Sequence, residues 1–206
     1  MITGYRGRFC AAGITEEGCP FVGQMVSARS AVNRQRKAVI SGNNVFIQHM
    51  NPAAATNIDL VQYNAIVTGE GFAVAANGQH GDELAENLND LKSILHRWGC
   101  EPDKTPRIAC VLAGKKAWFG IALLSGEAAG REIALKEGTM HYLTTYIGND
   151  EEIELPDRLM IEQSEISGHT KMAEFLYNLA NPKYAVCASA ALLMENWVFG
   201  VVNSWR

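Results

Sequence analysis

Four groups of polar residues interrupt an otherwise apolar chain, and each has the composition of a ligand or proton site. VSARSAVNRQRKAV (26–39) carries Arg29, Arg34, Arg36 and Lys37 with Ser27, Ser30 and Asn33 between them. Such a set suits a phosphate, because Arg offers a planar fork of donors; the same run also reads as a solvated surface turn. Tyr63-Asn64 places a phenol and an amide in a strand, either for chemistry or as a buried Tyr that satisfies its hydroxyl. In ANGQHGDEL (76–84) a strand, a glycine turn and a helix start follow one another. Asn77, Gly78 and Gln79 there bring backbone amides to a helix N-terminus, which attracts anions. The plainer reading is turn chemistry at Asn77-Gly78 and a helix cap at Asp82. In CEPDKTPRIACVL (100–112), Glu101 and Asp103 precede a strand that opens with Arg107. An arginine entering an apolar strand is costly unless paired, so a salt bridge to one of these acids is expected. A carboxylate held beside cations at a strand mouth also serves as a general acid or base.

These groups sit between strands. RFCAAGI and PFVGQMV flank TEEGC, KAVIS and NVFIQ flank GNN, VQYNAIV and FAVAAN flank TGEG, and IACVLA and AWFGIALL flank GKK. REIAL and HYLTTYI around KEGTM, then AVCASAALLM and VFGVV around ENW, complete the series. Sequential hairpins predict mainly antiparallel pairing. One helix is predicted after Gly81-Asp82, where Leu84, Leu88, Leu91, Leu95 and Trp98 form a single apolar stripe. A second is predicted over Ser167–Ala180, stopped by Asn181-Pro182. One stripe per helix covers a surface, while strands apolar on both faces require two facing sheets. The expected architecture is therefore a layered α+β sandwich in a single domain over 1–206.

With 206 residues, 48% apolar and 19% charged, the chain is globular in composition. A net charge of -4 argues against nucleic acid or a membrane surface as partner. No apolar run approaches a membrane span and the start lacks the order of a signal peptide. Cys10, Cys19, Cys100, Cys110 and Cys187 form no CxxC, which suits a reducing cytoplasm and neither a zinc site nor a disulfide frame. His49, His80, His96, His141 and His169 make no metal-binding pattern. There is no GxSxG, P-loop or GxGxxG, and Met1-Ile2-Thr3 offers no convincing terminal nucleophile. No metal, cofactor or covalent mechanism is called for.

Taken in order, the polar groups resemble one family, the archaeal-type IMP cyclohydrolases and their bacterial relatives. Tyr5-Arg6-Gly7-Arg8-Phe9 is similar to the family's Y-x-G-R opening, and Arg29-Ser30 with Asn33-Arg34 to its R-S…N-R. Tyr63-Asn64-Ala65, Asn77-Gly78-Gln79 with Asp82, and Glu101-Pro102-Asp103 followed by Thr105-Pro106-Arg107-Ile108 come next. The likeness covers about residues 4–124 and thins beyond Tyr146. It implies an Ntn-hydrolase-like fold, a four-layer αββα sandwich that keeps no terminal nucleophile. It also implies ring closure of 5-formamidoimidazole-4-carboxamide ribonucleotide (FAICAR) to IMP with loss of water, the last step of purine synthesis.

On that resemblance Glu101 is the expected proton-transfer residue and Tyr63 its acid or orienting partner. Arg29 and Arg107 would stabilise phosphate or oxyanion charge, and Ser30, Asn33 and Arg34 would hold the 5′-phosphate. Asn64, Asn77 and Gln79, with Gly78 and Asp82 beside them, would read the carboxamide and base edges. Two other readings stay open: a purine-nucleotide-binding protein without turnover, and another hydrolase on the same fold, for instance an amidase using Cys10. A homo-oligomer is compatible with the sequence, which does not specify one.

Overall fold

The computed structural model describes residues 4–55, 57–148, 153–166 and 171–204. Met1, Ile2 and Thr3, and residues 167–170 at the start of the second expected helix, lie outside them. The chain opens with a hairpin of β1 (Arg8–Ile14) and β2 (Pro20–Ser27). A second hairpin pairs β3 (Arg36–Ser41) with β4 (Asn44–His49), and a third pairs β5 (Tyr63–Gly69) with β6 (Phe72–Ala76). Helices α1 (His80–Glu86) and α2 (Leu91–Trp98) lead to β7 (Ile108–Ala113), β8 (Lys116–Ala122) and β9 (Ala128–Ala134). Next come β10 (Thr139–Thr144), the short β11 (Ile147–Gly148) and β12 (Ile153–Glu154), and β13 (Glu162–Glu165). Helix α3 (Met172–Leu179) and the hairpin of β14 (Ala185–Leu193) with β15 (Trp197–Asn203) complete the chain.

The fold is α+β with two mainly antiparallel sheets, ordered β13-β10-β1-β2-β14-β15 and β3-β4-β5-β6-β7-β8-β9. One apolar cluster lies between them, with Cys10, Val22 and Val26 of the first sheet meeting Tyr63, Ile66 and Cys110 of the second. Helix α3 covers the far face of the first sheet through Met172 and Leu176, while α1 and α2 cover that of the second through Leu84, Leu91 and Leu95. Strands buried on both faces follow from this layering, as their apolar runs require.

Tyr63 and Ile66 both face inward although three residues apart, an odd spacing that would put them on opposite faces of a regular strand. The register slips between Val45–Ile66 and Phe46–Asn64, so β5 carries a bulge that re-aims Tyr63 into the space between the sheets.

Two expectations need correction, and one strand carried no expectation. The single helix carrying the leucine stripe is two helices, broken at Asn87–Asp90, although its leucines still pack on one sheet face. Asn87, Asn89 and Asp90 interrupt it because short polar side chains compete for the helix backbone. REIAL and HYLTTYI do not form a hairpin: β9 is the edge of the second sheet, and β10 pairs with β1 and β13 in the first. Polar, largely exposed β9 tolerates an edge, whereas buried β10 needs partners on both sides. Strand β13, EQSE, has no apolar pattern and exists through its pairing with β10.

Candidate active site

A polar cavity of about 440 Å³ opens where β1 and β3 begin and β2 ends, within the range of small-molecule sites. Arg8 and Glu101 form part of its wall, together with Ser27, Ser30, Asn33, Arg36, Asp103, Thr105 and the rings of Tyr5 and Tyr146. A second groove of about 350 Å³, between α3 and the β14–β15 hairpin, is mostly apolar. Convergent polar groups mark the first as the place for chemistry.

Glu101 is buried, and Arg8 grips both its oxygens, Nη1 donating to Oε1 at 2.8 Å and Nη2 to Oε2 at 2.7 Å. Arg8 Nη1 also donates to the Asn77 carbonyl at 3.2 Å. Arg107 stands farther off, with Nη1 3.8 Å from Glu101 Oε1 and its guanidinium over the Trp98 ring at 5.0 Å. Burial works against the Arg8 charge, yet the Glu101 carboxylate outweighs it and holds Arg8 above its ordinary value. Burial and the charge of Arg8 together lower Arg107. The loop bearing Glu101 closes tightly: its amide donates to Thr105 O at 2.8 Å, and Lys104 takes a left-handed φ of 69° to make the turn.

Arg36 is a third buried cation, beside Arg8 and Arg107. Its Nε donates to the Asn33 carbonyl at 2.7 Å, and no carboxylate pairs with it among the described residues. Burial lowers its pKa. Tyr63 is 2% exposed and outside the cavity wall, its oxygen accepting from Gln24 Nε2 at 3.2 Å. Burial pushes the phenol up to about 12 even though Arg8 and Arg36 both pull it down. At the mouth, Tyr146 stacks on Tyr5 at 5.6 Å and shares a 2.6 Å hydrogen bond with Thr105 Oγ1.

Gly7 lets the chain pass beneath that stack. Its φ is +70°, and a Cβ there would collide with Thr145 Oγ1 and the Tyr146 ring. Its carbonyl accepts from the Ser27 hydroxyl and, at 3.1 Å, from the Ser27 amide. Gly7→Ala is expected to destabilise the fold by about 1–3 kcal/mol, read as a melting temperature lower by several degrees; an unchanged melting temperature would show that Tyr146 is free to move aside.

The cavity gathers Glu101, Ser30 and Asn33 of the residues expected from sequence. Arg29 is exposed at its rim, over the Tyr5 ring at 5.1 Å. Arg34 is half-buried in the same turn, its amide bonded to Ser30 O. Behind Arg8, Asn77 bridges the Pro106 carbonyl and the Ile108 amide. Gly78 admits Arg107, whose Nη1 would lie 2.8 Å from a Cβ placed there. Asn64, Gln79 and Asp82 are not in the wall: Asn64 Nδ2 donates to Asp82 Oδ1 at 2.8 Å, tying β5 to α1, and Gln79 precedes that helix. Asp82 therefore sits in the first turn instead of capping it. His80, buried beside Arg107, donates Nε2–H to Ile108 O at 3.1 Å, and burial depresses it to about 3, which keeps the ring neutral. Cys10 is fully buried between the sheets with its thiol pushed up by burial, which leaves it unsuited to nucleophilic work.

Sequence reasoning gave Arg8 no role beyond its place in the opening motif and counted Arg36 only as one of four cations in a phosphate-suited run, although both carry a further signal. Arg8 opens an apolar strand, and Arg36 shares the inward face of β3 with Ala38 two residues on. Tyr146 carried none, since nothing local distinguishes it.

Comparison with known proteins matches residues 5–196 to the family described as IMP cyclohydrolase-like protein. The IMP cyclohydrolase of Methanothrix thermoacetophila is 34% identical over 151 residues, 69% of this chain and 74% of its own length. That of Methanocaldococcus jannaschii is 29% identical over 203 residues, 94% and 96% of the two chains. That of Thermococcus kodakarensis is 33% identical over 152 residues, 69% and 73%. Since the matched stretch runs from Tyr5 to Asn196 and includes the whole wall of the polar cavity, the chain belongs to the IMP cyclohydrolase-like protein family.

Proposed function

We propose that this protein is an IMP cyclohydrolase that closes FAICAR to IMP, with a purine ribonucleotide held in the polar cavity. The observation that carries the reading is Arg36, a buried cation with no carboxylate partner among the described residues, in the wall of a nucleotide-sized cavity. An unpaired buried charge is costly, and a phosphate monoester supplies the missing anion. Asn33 and Ser30 extend the same subsite, and Arg29 and Arg34 add positive charge around it. The two facing sheets with helices outside are read as the four-layer αββα arrangement of Ntn hydrolases, one domain over 1–206. No helix among the described residues is long and apolar enough to cross a membrane; a cytoplasmic setting belongs to the same reading.

Ring closure is intramolecular, so holding the reactive rotamer lowers much of the barrier. The carboxamide nitrogen attacks the formyl carbon, forming the C–N bond as Glu101 takes one N–H proton and Tyr63 protonates the formyl oxygen. The hydroxyl then leaves as water, protonated by Glu101, while the formamido N–H proton returns to the Tyr63 oxygen and the C=N bond forms. Arg8 uses one lone pair on each Glu101 oxygen, and each oxygen has a second; the carboxylate can therefore accept a proton while clamped. Arg8 and Arg107 stabilise the charge that develops at the departing oxygen.

Purified protein incubated with FAICAR should form IMP, followed by absorbance. No IMP formation together with a melting temperature raised by IMP would identify a binding protein; neither effect would leave only the fold.

A further inference from the structure

Gln24 is an amide on the inward face of β2, between Val22 and Val26, which both belong to the apolar cluster between the sheets. It is fully buried. Its Nε2 donates to the Tyr63 oxygen at 3.2 Å, and its Oε1 has no partner among the described residues. A buried amide with one atom unsatisfied is poorer for stability than an aliphatic side chain of the same volume. Packing between the sheets therefore does not account for it, and its contact with the phenol does.

The Gln24 N–H group occupies a lone pair of the Tyr63 oxygen from the β2 side. The phenol's own proton then has to leave in another direction; Tyr63 itself lies outside the cavity wall, but Arg8 and Arg36, whose charges both pull its pKa down, stand in that wall. We propose that Gln24 is a positioning residue that fixes the Tyr63 hydroxyl as a donor toward the cavity. The inference rests on the reading of Tyr63 as the proton-carrying acid.

A double-mutant cycle on turnover tests it, because a residue acting through Tyr63 has nothing left to act on once the hydroxyl is gone. Gln24→Leu should lower kcat about tenfold, the worth of one orienting hydrogen bond, with KM unchanged and the melting temperature equal or higher. In the Tyr63→Phe background the same substitution should have no further effect. An equal loss in both backgrounds would mean that Gln24 acts by packing, and would overturn the inference. So would an unaltered kcat in Gln24→Leu beside an impaired Tyr63→Phe, which sinks Gln24 alone. A fully active Tyr63→Phe would remove the acid role and the inference with it. If leucine prevents folding, Gln24→Met removes the amide at similar volume and is read in the same way.

Discussion

Glu101→Gln is expected to lower kcat by about 10²–10⁴-fold, the usual contribution of a positioned acid or base, with nucleotide affinity retained. It should also melt earlier, for a reason separate from catalysis. Both Glu101 oxygens accept from Arg8, and the two side chains are nearly inaccessible to solvent. An amide presents an N–H group to one of those guanidinium nitrogens and leaves the Arg8 charge buried without its counterion. Breaking one partner of such a pair costs about 3–5 kcal/mol, which for a chain of this size lowers the melting temperature by roughly 10 °C. Replacing both partners by apolar residues, Arg8→Met with Glu101→Leu, should recover most of that stability and none of the turnover. The split separates structural from chemical roles. Folded Glu101→Gln with wild-type turnover would take this carboxylate out of the mechanism and leave the electrostatics of Arg8 and Arg107 as the source of catalysis.

Arg36→Met should have the opposite signature. Removing a cation that meets the phosphate is expected to weaken IMP binding by about 100-fold, the lower part of the cost of truncating a desolvated charge partner. Stability should hold or rise, since the guanidinium is buried, donates to the Asn33 carbonyl and has no carboxylate beside it among the described residues. Titration calorimetry with IMP measures the loss, and inosine, which lacks the phosphate, provides the control: the variant and the wild type should bind it equally. Loss of inosine binding as well would mean that Arg36 shapes the cavity instead of holding phosphate. Wild-type affinity for IMP would move the phosphate to Arg29 and Arg34 at the rim. The Glu101 and Arg36 results are independent, because one removes a compensated charge and the other an uncompensated one.

Strand identity, hairpin turns and the leucine stripe were legible in the chain, because alternation, turn residues and helical spacing are local properties. So was the chemical character of the cavity: Glu101, Ser30 and Asn33 stand in its wall, and Arg29 at its rim. The break at Asn87–Asp90 was legible in principle, as its short polar residues lie in plain view. The sequence by itself thus determined which segments are strands, which faces are apolar, and that anion-binding and carboxylate groups exist.

What only the tertiary structure decided is who meets whom. Arg8 and Glu101 lie 93 residues apart, and Gln24 and Tyr63 are separated by 39. Neither pairing leaves a local trace, since each depends on two sheets closing face to face. The split of β9 and β10 between the sheets has the same cause: burial, not chain proximity, selects a strand's partner. The same geometry turned Asn64 and Asp82 toward each other outside the cavity, and brought Arg36 inward without a counterion among the described residues. Charge pairing inside a protein is decided by which buried groups share a small low-dielectric space, and that space exists only once the sheets have packed.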